Sequence, residues 1–334
     1  MSAGRVLIES IPSQVLQSNP LGDPSVRKLA IYLPPGYDKT PNEHFPVIYL
    51  LSSFMGFGTM FLSPQAWGYS MDERCDKLID EGAMKECILV MPDCFTKYGG
   101  SQYVNSEAVG SYEDYIVKEI IPMVDKNYRT QAETAHRAVM GKSSGGFGAF
   151  HLGSKFPDMF SAFFCSSGDM YFEYGYKPDL PKCYNAIYRA GGLDPFLKSF
   201  FEAQKKGGDM ITAINIIAMS AAYSPNSKSS FGFDLPFDTE TGELREEVWK
   251  RWLTFDPVWI IEDKRIQENL KKLKNVFLEC GSRDEYFLHV GARILSKKLK
   301  QFGIAHTYEE FDDGHMGTSY RYDVSLSKLS HAIS

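Results

Sequence analysis

Two adjacent serines, Ser143 and Ser144, stand among glycines in the run MGKSSGGFG, residues 140–148. Three kinds of chemistry use such a run. A phosphate-cradling loop of the form G-x-x-x-x-G-K-[ST] would use Gly141-Lys142-Ser143, but its first glycine would stand at position 136, which is His136. Without that glycine the backbone amides cannot close on a phosphate. A plain strand-to-helix turn would use the glycines for close packing and nothing more. The third reading is G-x-S-x-G, met by Gly141, Ser143 and Gly145. There the serine sits on a strained turn between a strand and a helix, and small residues two before and two after it avoid backbone clashes. That register makes Ser143 the nucleophile. Ser144 then contributes its backbone N–H to an oxyanion site, and its hydroxyl reads as a polar group capping the helix start.

A serine hydroxyl is a weak nucleophile and needs a base to take its proton. Behind such an elbow the chain order is serine, acid, histidine. Seven histidines are present, and order excludes His44 and His136. His151, His289 and His331 fall on helical patterns, and His306 begins a strand. His315 stands in FDDGHMGTS, a glycine-flanked loop after the strand-like AHTYEEF. The acid is read at Asp284, in a turn after NVFLECG, with Glu285 beside it as the competitor. Asp312 and Asp313 are near His315 in sequence, but on one short loop their plainer role is turn chemistry. An aspartate before a helix is also a common cap, so the ordered set of Ser143, Asp284 and His315 carries more weight than any member.

These groups need elements to present them. KLAIYLPPGY, FPVIYLLSS, CILVMPD, HRAVMGK, FSAFFCSSG, NVFLECG and AHTYEEF read as strands. Helical spacing is expected over residues 64–84, 111–128, 143–156, 287–303 and 320–334. Strands of four to eight residues alternating with longer helices predict an α/β chain: a mostly parallel sheet of about eight strands with helices on both faces. The alternation lapses over about residues 168–274, which read as a mainly helical insertion in one domain spanning 1–334, ahead of the strand that presents Asp284.

Composition narrows the function classes. The chain has 334 residues and a formal net charge of -6, which argues against a nucleic-acid or anionic-membrane surface. No run reaches the ~18 apolar residues of a membrane span. The start MSAGRVLIESIPSQ lacks a signal-like apolar segment, so a cytoplasmic protein is expected. The six cysteines form no C-x-x-C pair and read as buried, reduced thiols. Neither a metal nor an organic cofactor is expected. The oligomeric state is not readable from the sequence, and a homo-oligomer is compatible with it.

The chain resembles the α/β-hydrolase family of serine esterases that includes esterase D or S-formylglutathione hydrolase, enterochelin esterase, the feruloyl esterases and the mycolyltransferases. The resemblance rests on IYLPPGYD at 31–38, FPVIYLLSS at 45–53, VMPD at 90–93, GGSQYVNS at 99–106, YEDYIVKEIIPMVDKNYRT at 112–130, MGKSSGGFGAF at 140–150, FPDMFSAFFCSSG at 156–168, CGSRDEY at 280–286 and DDGHMG at 312–317. It implies the α/β-hydrolase fold and hydrolysis of a small-molecule carboxylic or thio ester through an acyl-enzyme. It also implies a second oxyanion N–H from the loop after FPVIYLL, at Phe54 or a neighbour. That loop departs from the family pattern: Ser52-Ser53 replaces the usual His-Gly or Ser-Gly, and the cysteine associated with S-formylglutathione hydrolases is missing. The same residues would serve an acyltransferase with an alcohol acceptor. A non-catalytic binding protein on this fold would usually have lost one of the three.

Aromatic residues are plentiful near these motifs and serve either a pocket or the core. The insertion leaves a strand end, and ligands in open α/β sheets bind beyond those ends. Phe231, Phe233 and Phe237 of FGFDLPFD are therefore expected to line an apolar substrate pocket, with SFMGFG and GGSQY, which holds Tyr103, as the other places to seek it.

Overall fold

The computed structural model describes residues 3–334. Eight strands form the central sheet: β1 (Arg5–Pro12), β2 (Val26–Leu33), β3 (Val47–Leu51), β4 (Ile88–Pro92), β5 (Arg137–Lys142), β6 (Ala162–Ser166), β7 (Asn275–Gly281) and β8 (Thr307–Phe311). Their order across the sheet is β1-β2-β4-β3-β5-β6-β7-β8. β2 runs antiparallel to both β1 and β4, and all other pairs are parallel.

Burial on both faces explains the sequence of the inner strands. β3 is VIYLL and wholly buried. Val47, Tyr49 and Leu51 join one apolar core, and Ile48 and Leu50 join the other. Strand side chains alternate between faces, so a strand covered twice must be apolar throughout. The second core is closed by α1 (Met71–Asp80) and by α10 (Tyr322–Ile333), through Cys75, Leu78, Leu326 and Leu329. On the first face lie α2 (residues 112–127) and α3 (Ser144–Lys155). α2 is wound as a π-helix over Tyr115–Ile120.

Residues 168–274 are mainly helical, with α4 (Leu180–Ala190), α5 (Leu193–Glu202), α6 (Gly208–Tyr223), α7 (Glu246–Leu253) and α8 (Lys264–Lys272). Their buried residues join the first core rather than forming one of their own. α9 (Leu288–Gln301) follows β7. Among the described residues, no helix is long and apolar enough to cross a membrane.

Two expectations change. The helix expected from residue 64 begins at Met71, because the Glu73 carboxylate accepts the Ser70 N–H at 2.9 Å and fixes the start there. β1 was not anticipated. It is an edge strand whose residues are all partly or fully exposed, so RVLIESIP carries little of the buried-strand signal.

Parallel pairing brings the carboxyl ends of five strands to one edge. Leu51 pairs with Gly141, Lys142 with Ser166, Ser166 with Glu279 and Gly281 with Phe311. The loops that follow carry every residue of the ordered set.

Candidate active site

Ser143 is the turn between β5 and α3. Its φ of 57° and ψ of −126° are a conformation side chains rarely adopt. The glycines around it explain how the turn closes. A Cβ on Gly141 would lie 2.4 Å from the backbone of Gly145, and one on Gly145 would lie 2.3 Å from the carbonyl oxygen of Leu51. Ser144 is the first residue of α3, so no carbonyl one turn back within the helix accepts its N–H. Its hydroxyl, contrary to the sequence expectation, does not cap the helix. It donates to Asp169 Oδ2 at 3.2 Å.

Asp284 and His315 come from the loops after β7 and β8. His315 Nδ1 lies 2.8 Å from Asp284 Oδ2, and both residues are buried. A carboxylate only accepts, so Nδ1 carries the proton, and the neutral ring keeps its lone pair on Nε2. Asp284 Oδ1 accepts the N–H groups of Tyr286 at 3.0 Å and Leu288 at 3.4 Å. Burial raises the pKa of this carboxyl, but the His315 hydrogen bond and charge and these N–H donors outweigh burial and hold it below its ordinary value.

The competing acids lie elsewhere. Glu285 Oε2 accepts the backbone N–H of His315 at 2.6 Å, which holds the loop and leaves the ring to Asp284. Asp313 accepts from the Gly314 N–H and the Tyr320 hydroxyl. Asp312 is exposed beside Arg283. The Tyr286 ring stands edge-on to the imidazole, with centroids 4.9 Å apart.

The loop after β3 is fixed from two sides. The Tyr103 hydroxyl donates to the Ser52 carbonyl at 2.6 Å, and the Ser53 hydroxyl donates to the Lys142 carbonyl at 3.0 Å. Phe54 follows directly. Gln102, Tyr103, Ser167 and Tyr171 share the positive φ of Ser143, so backbone strain gathers at this end of the sheet.

Ser143, Ser144, His315 and Phe54 line one cavity of about 380 Å³, together with Met60, Lys142, Asp169, Tyr176, Ile211 and Asn215, among others. The Ser143 hydroxyl makes no hydrogen bond to the His315 ring in this structure, although both open onto that space. The insertion does begin at the mouth, where Asp169, Met170 and Tyr176 follow β6.

The pocket wall differs from the expectation. Phe231, Phe233 and Phe237 do not line the cavity. Phe233 packs against Tyr98 and Phe231, and Phe237 packs against Tyr184. Bridges from Phe233 to Pro225 and from Phe237 to Leu244 tie the segment to its neighbours in the insertion, and Phe233 and Phe237 are buried in the first core with Phe231 packed against it. The insertion reaches the cavity through Ile211, Thr212 and Asn215 of α6. Tyr103 is also outside the lining: it is a buried brace for the Ser52 carbonyl. Asp169 was missed. Its only sequence signal is its place just after CSSG, at the end of a parallel strand.

Comparison with known proteins fits this arrangement. The family model described as "Putative esterase" matches residues 22–325. The endo-1,4-beta-xylanase/feruloyl esterase of Xylanibacter ruminicola is 32% identical over 147 residues, which is 42% of this chain and 19% of that protein. Esterase MT1326 of Mycobacterium tuberculosis is 33% identical over 147 residues, 41% of this chain and 28% of its own length. The matches thus span less than a third of these two curated relatives. A solved ferulic acid esterase superposes with a TM-score of 0.64 at 19% identity, covering 99% of this chain and 100% of that one. The fold is the α/β-hydrolase fold. The chain belongs to the Putative esterase family.

Proposed function

We propose that this protein is a serine carboxylesterase acting on a small-molecule carboxylic or thio ester. The observation that carries the reading is the strained Ser143 opening onto the same cavity as His315, whose far nitrogen is fixed by buried Asp284. Family membership supports hydrolysis of an ester; the serine mechanism is read from these side chains.

His315 Nε2 takes the proton of Ser143 as Oγ bonds to the ester carbonyl carbon. The Ser143–His315 hydrogen bond forms as substrate closes the site, since such bonds are often loose beforehand. The oxyanion is held by the N–H groups of Ser144 and Phe54, each donor contributing about 3 kcal/mol to lowering the barrier. Collapse breaks the bond to the leaving alcohol or thiol, and His315 gives it the proton. Water then gives a proton to His315 as it attacks the acyl-enzyme, and Ser143 recovers its proton as the acid leaves. Asp284 orients the imidazole and stabilises its cation. All six cysteines are buried and unpaired, which supports the cytoplasmic location proposed here.

The test is hydrolysis of p-nitrophenyl esters of rising chain length, followed by mass spectrometry of enzyme quenched during turnover. An acyl adduct on the peptide containing Ser143 is expected. Hydrolysis without any adduct, or no hydrolysis of any ester, would count against the proposal.

A further inference from the structure

Asp169 is a buried carboxylate for which the acyl transfer above has no use. It stands three residues beyond β6 and is 8% exposed. Its Oδ2 accepts three hydrogen bonds: from the Tyr176 hydroxyl at 2.7 Å, Gln102 Nε2 at 3.0 Å and the Ser144 hydroxyl at 3.2 Å. Gln102 is itself held by the Tyr223 hydroxyl at 3.0 Å. Among the described residues, none donates to Oδ1, and no lysine, arginine or histidine forms an ion pair with the carboxylate; His315 acts on it only at longer range, and burial outweighs that and raises its pKa. A carboxylate taken out of water without a counter-charge costs several kcal/mol, and three donors on one oxygen offset only part of that. Asp169 lines the cavity of Ser143 and His315, and with its three donors all on Oδ2, Oδ1 is the oxygen left for a group entering that space.

The position of this charge matters for the reaction. Asp169 is bonded to Ser144, the residue whose N–H is assigned to the oxyanion. A bare negative charge there opposes the charge that develops on the carbonyl oxygen. A donor from the substrate would relieve both costs. The leaving group must depart beside His315 Nε2, which protonates it, so the portion of the ester on the Ser144 side is the acyl group.

We infer that Asp169 Oδ1 accepts a hydrogen bond from the acyl group, and that the substrate is an ester whose acyl part carries a hydroxyl or ammonium donor. The inference rests on the esterase reading for its placement of the acyl group.

The experiment uses p-nitrophenyl phenylacetates carrying a hydroxymethyl, aminomethyl or ethyl group at ring position 3 or 4. These substituents have nearly equal size and differ in donor and charge. At one of the two positions, the wild type should prefer a donor-bearing ester over the ethyl ester by about tenfold or more in kcat/KM, the scale of a hydrogen bond to a charged group. Preference for aminomethyl identifies an ammonium, and preference for hydroxymethyl a neutral hydroxyl. In Asp169→Asn the ratio should collapse to within about threefold, because an amide N–H₂ now faces the donor. The ethyl ester offers no donor, so its turnover together with the Tm shows whether Asp169→Asn is folded and active; a donor preference retained in a folded, active Asp169→Asn would overturn the inference. Equal rates for all three esters in the wild type would overturn the inference while leaving the esterase reading intact. If no ester were cleaved, the esterase reading would fail. Calorimetric binding of the matching phenylethanols to wild type and Asp169→Asn would then decide the inference: tighter binding of the donor-bearing compounds by the wild type sustains it, and equal binding ends it.

Discussion

His315 Nδ1 and Asp284 Oδ2 meet at 2.8 Å although 31 residues separate them in the chain. The register of β7 against β8 makes this possible: Gly281 pairs with Phe311, so the two loops leave the sheet side by side. The Glu285 carboxylate then ties the His315 backbone to the same turn.

Replacing Asp284 with Asn should lower kcat for an activated ester by about 10⁴, because the amide can donate to Nδ1 and favour the wrong tautomer. Glu285→Gln should cost far less, since its amide oxygen still accepts the His315 N–H. Steady-state kinetics on both variants checks this. A larger loss at Glu285 than at Asp284 would reverse the assignment.

The same pair predicts an effect on acid stability. The Asp284 carboxyl is held below its ordinary value in the folded protein, chiefly by the His315 hydrogen bond and charge against the opposing effect of burial. A carboxyl with a depressed folded-state value adds stability that is full above its unfolded value of about 4 and is lost as pH falls through the folded value. The Tm difference between wild type and Asp284→Asn should therefore shrink as pH drops from about 5 to 3. A difference that stays constant over that window would show that Asp284 ionisation does not stabilise the fold.

Much of this site is legible in the sequence because the geometry is local. Gly141, Ser143 and Gly145 declare a turn that only small residues can close, and His315 stands out as the one histidine in a glycine-flanked loop after a late strand. The choice of Asp284 over Glu285 is not local. It depends on which carboxylate meets a ring brought in by another strand. The pocket wall is not legible for a related reason: FGFDLPFD and α6 are both apolar, and composition does not say which of two apolar segments faces a cavity and which faces the core. Asp169 was invisible because one aspartate after a strand looks like a turn residue until Tyr176, Gln102 and Ser144 converge on it.

Tyr103 braces the loop that carries Phe54. Removing its hydroxyl in Tyr103→Phe leaves the buried Ser52 carbonyl without this donor and should cost about 1–3 kcal/mol of stability. It should also lower kcat by roughly tenfold, by loosening the oxyanion loop, with little change in KM. Tm and kinetics measured together separate the two effects. A fall in Tm with kcat unchanged would make Tyr103 a purely structural brace.

Chain-length preference should follow α6. Ile211→Ala is expected to shift the preferred acyl chain by about 10–200-fold in relative kcat/KM, the scale of a pocket contact. Phe233→Ala should lose about 3–5 kcal/mol of stability and keep the wild-type profile, because Phe233 is a buried core residue. The p-nitrophenyl series and thermal melts of both variants check this. An unchanged profile in Ile211→Ala with a shifted one in Phe233→Ala would return the pocket to FGFDLPFD.

The central claim is that Ser143, and not its neighbour, forms the acyl-enzyme. It is tested most directly by kcat on a p-nitrophenyl ester for Ser143→Ala and Ser144→Ala. Ser143→Ala should lose about 10⁶, the scale of removing a triad nucleophile. Ser144→Ala keeps its backbone N–H, gives up only the bond to Asp169, and should stay within about tenfold of wild type. An active Ser143→Ala beside an inactive Ser144→Ala would contradict the account.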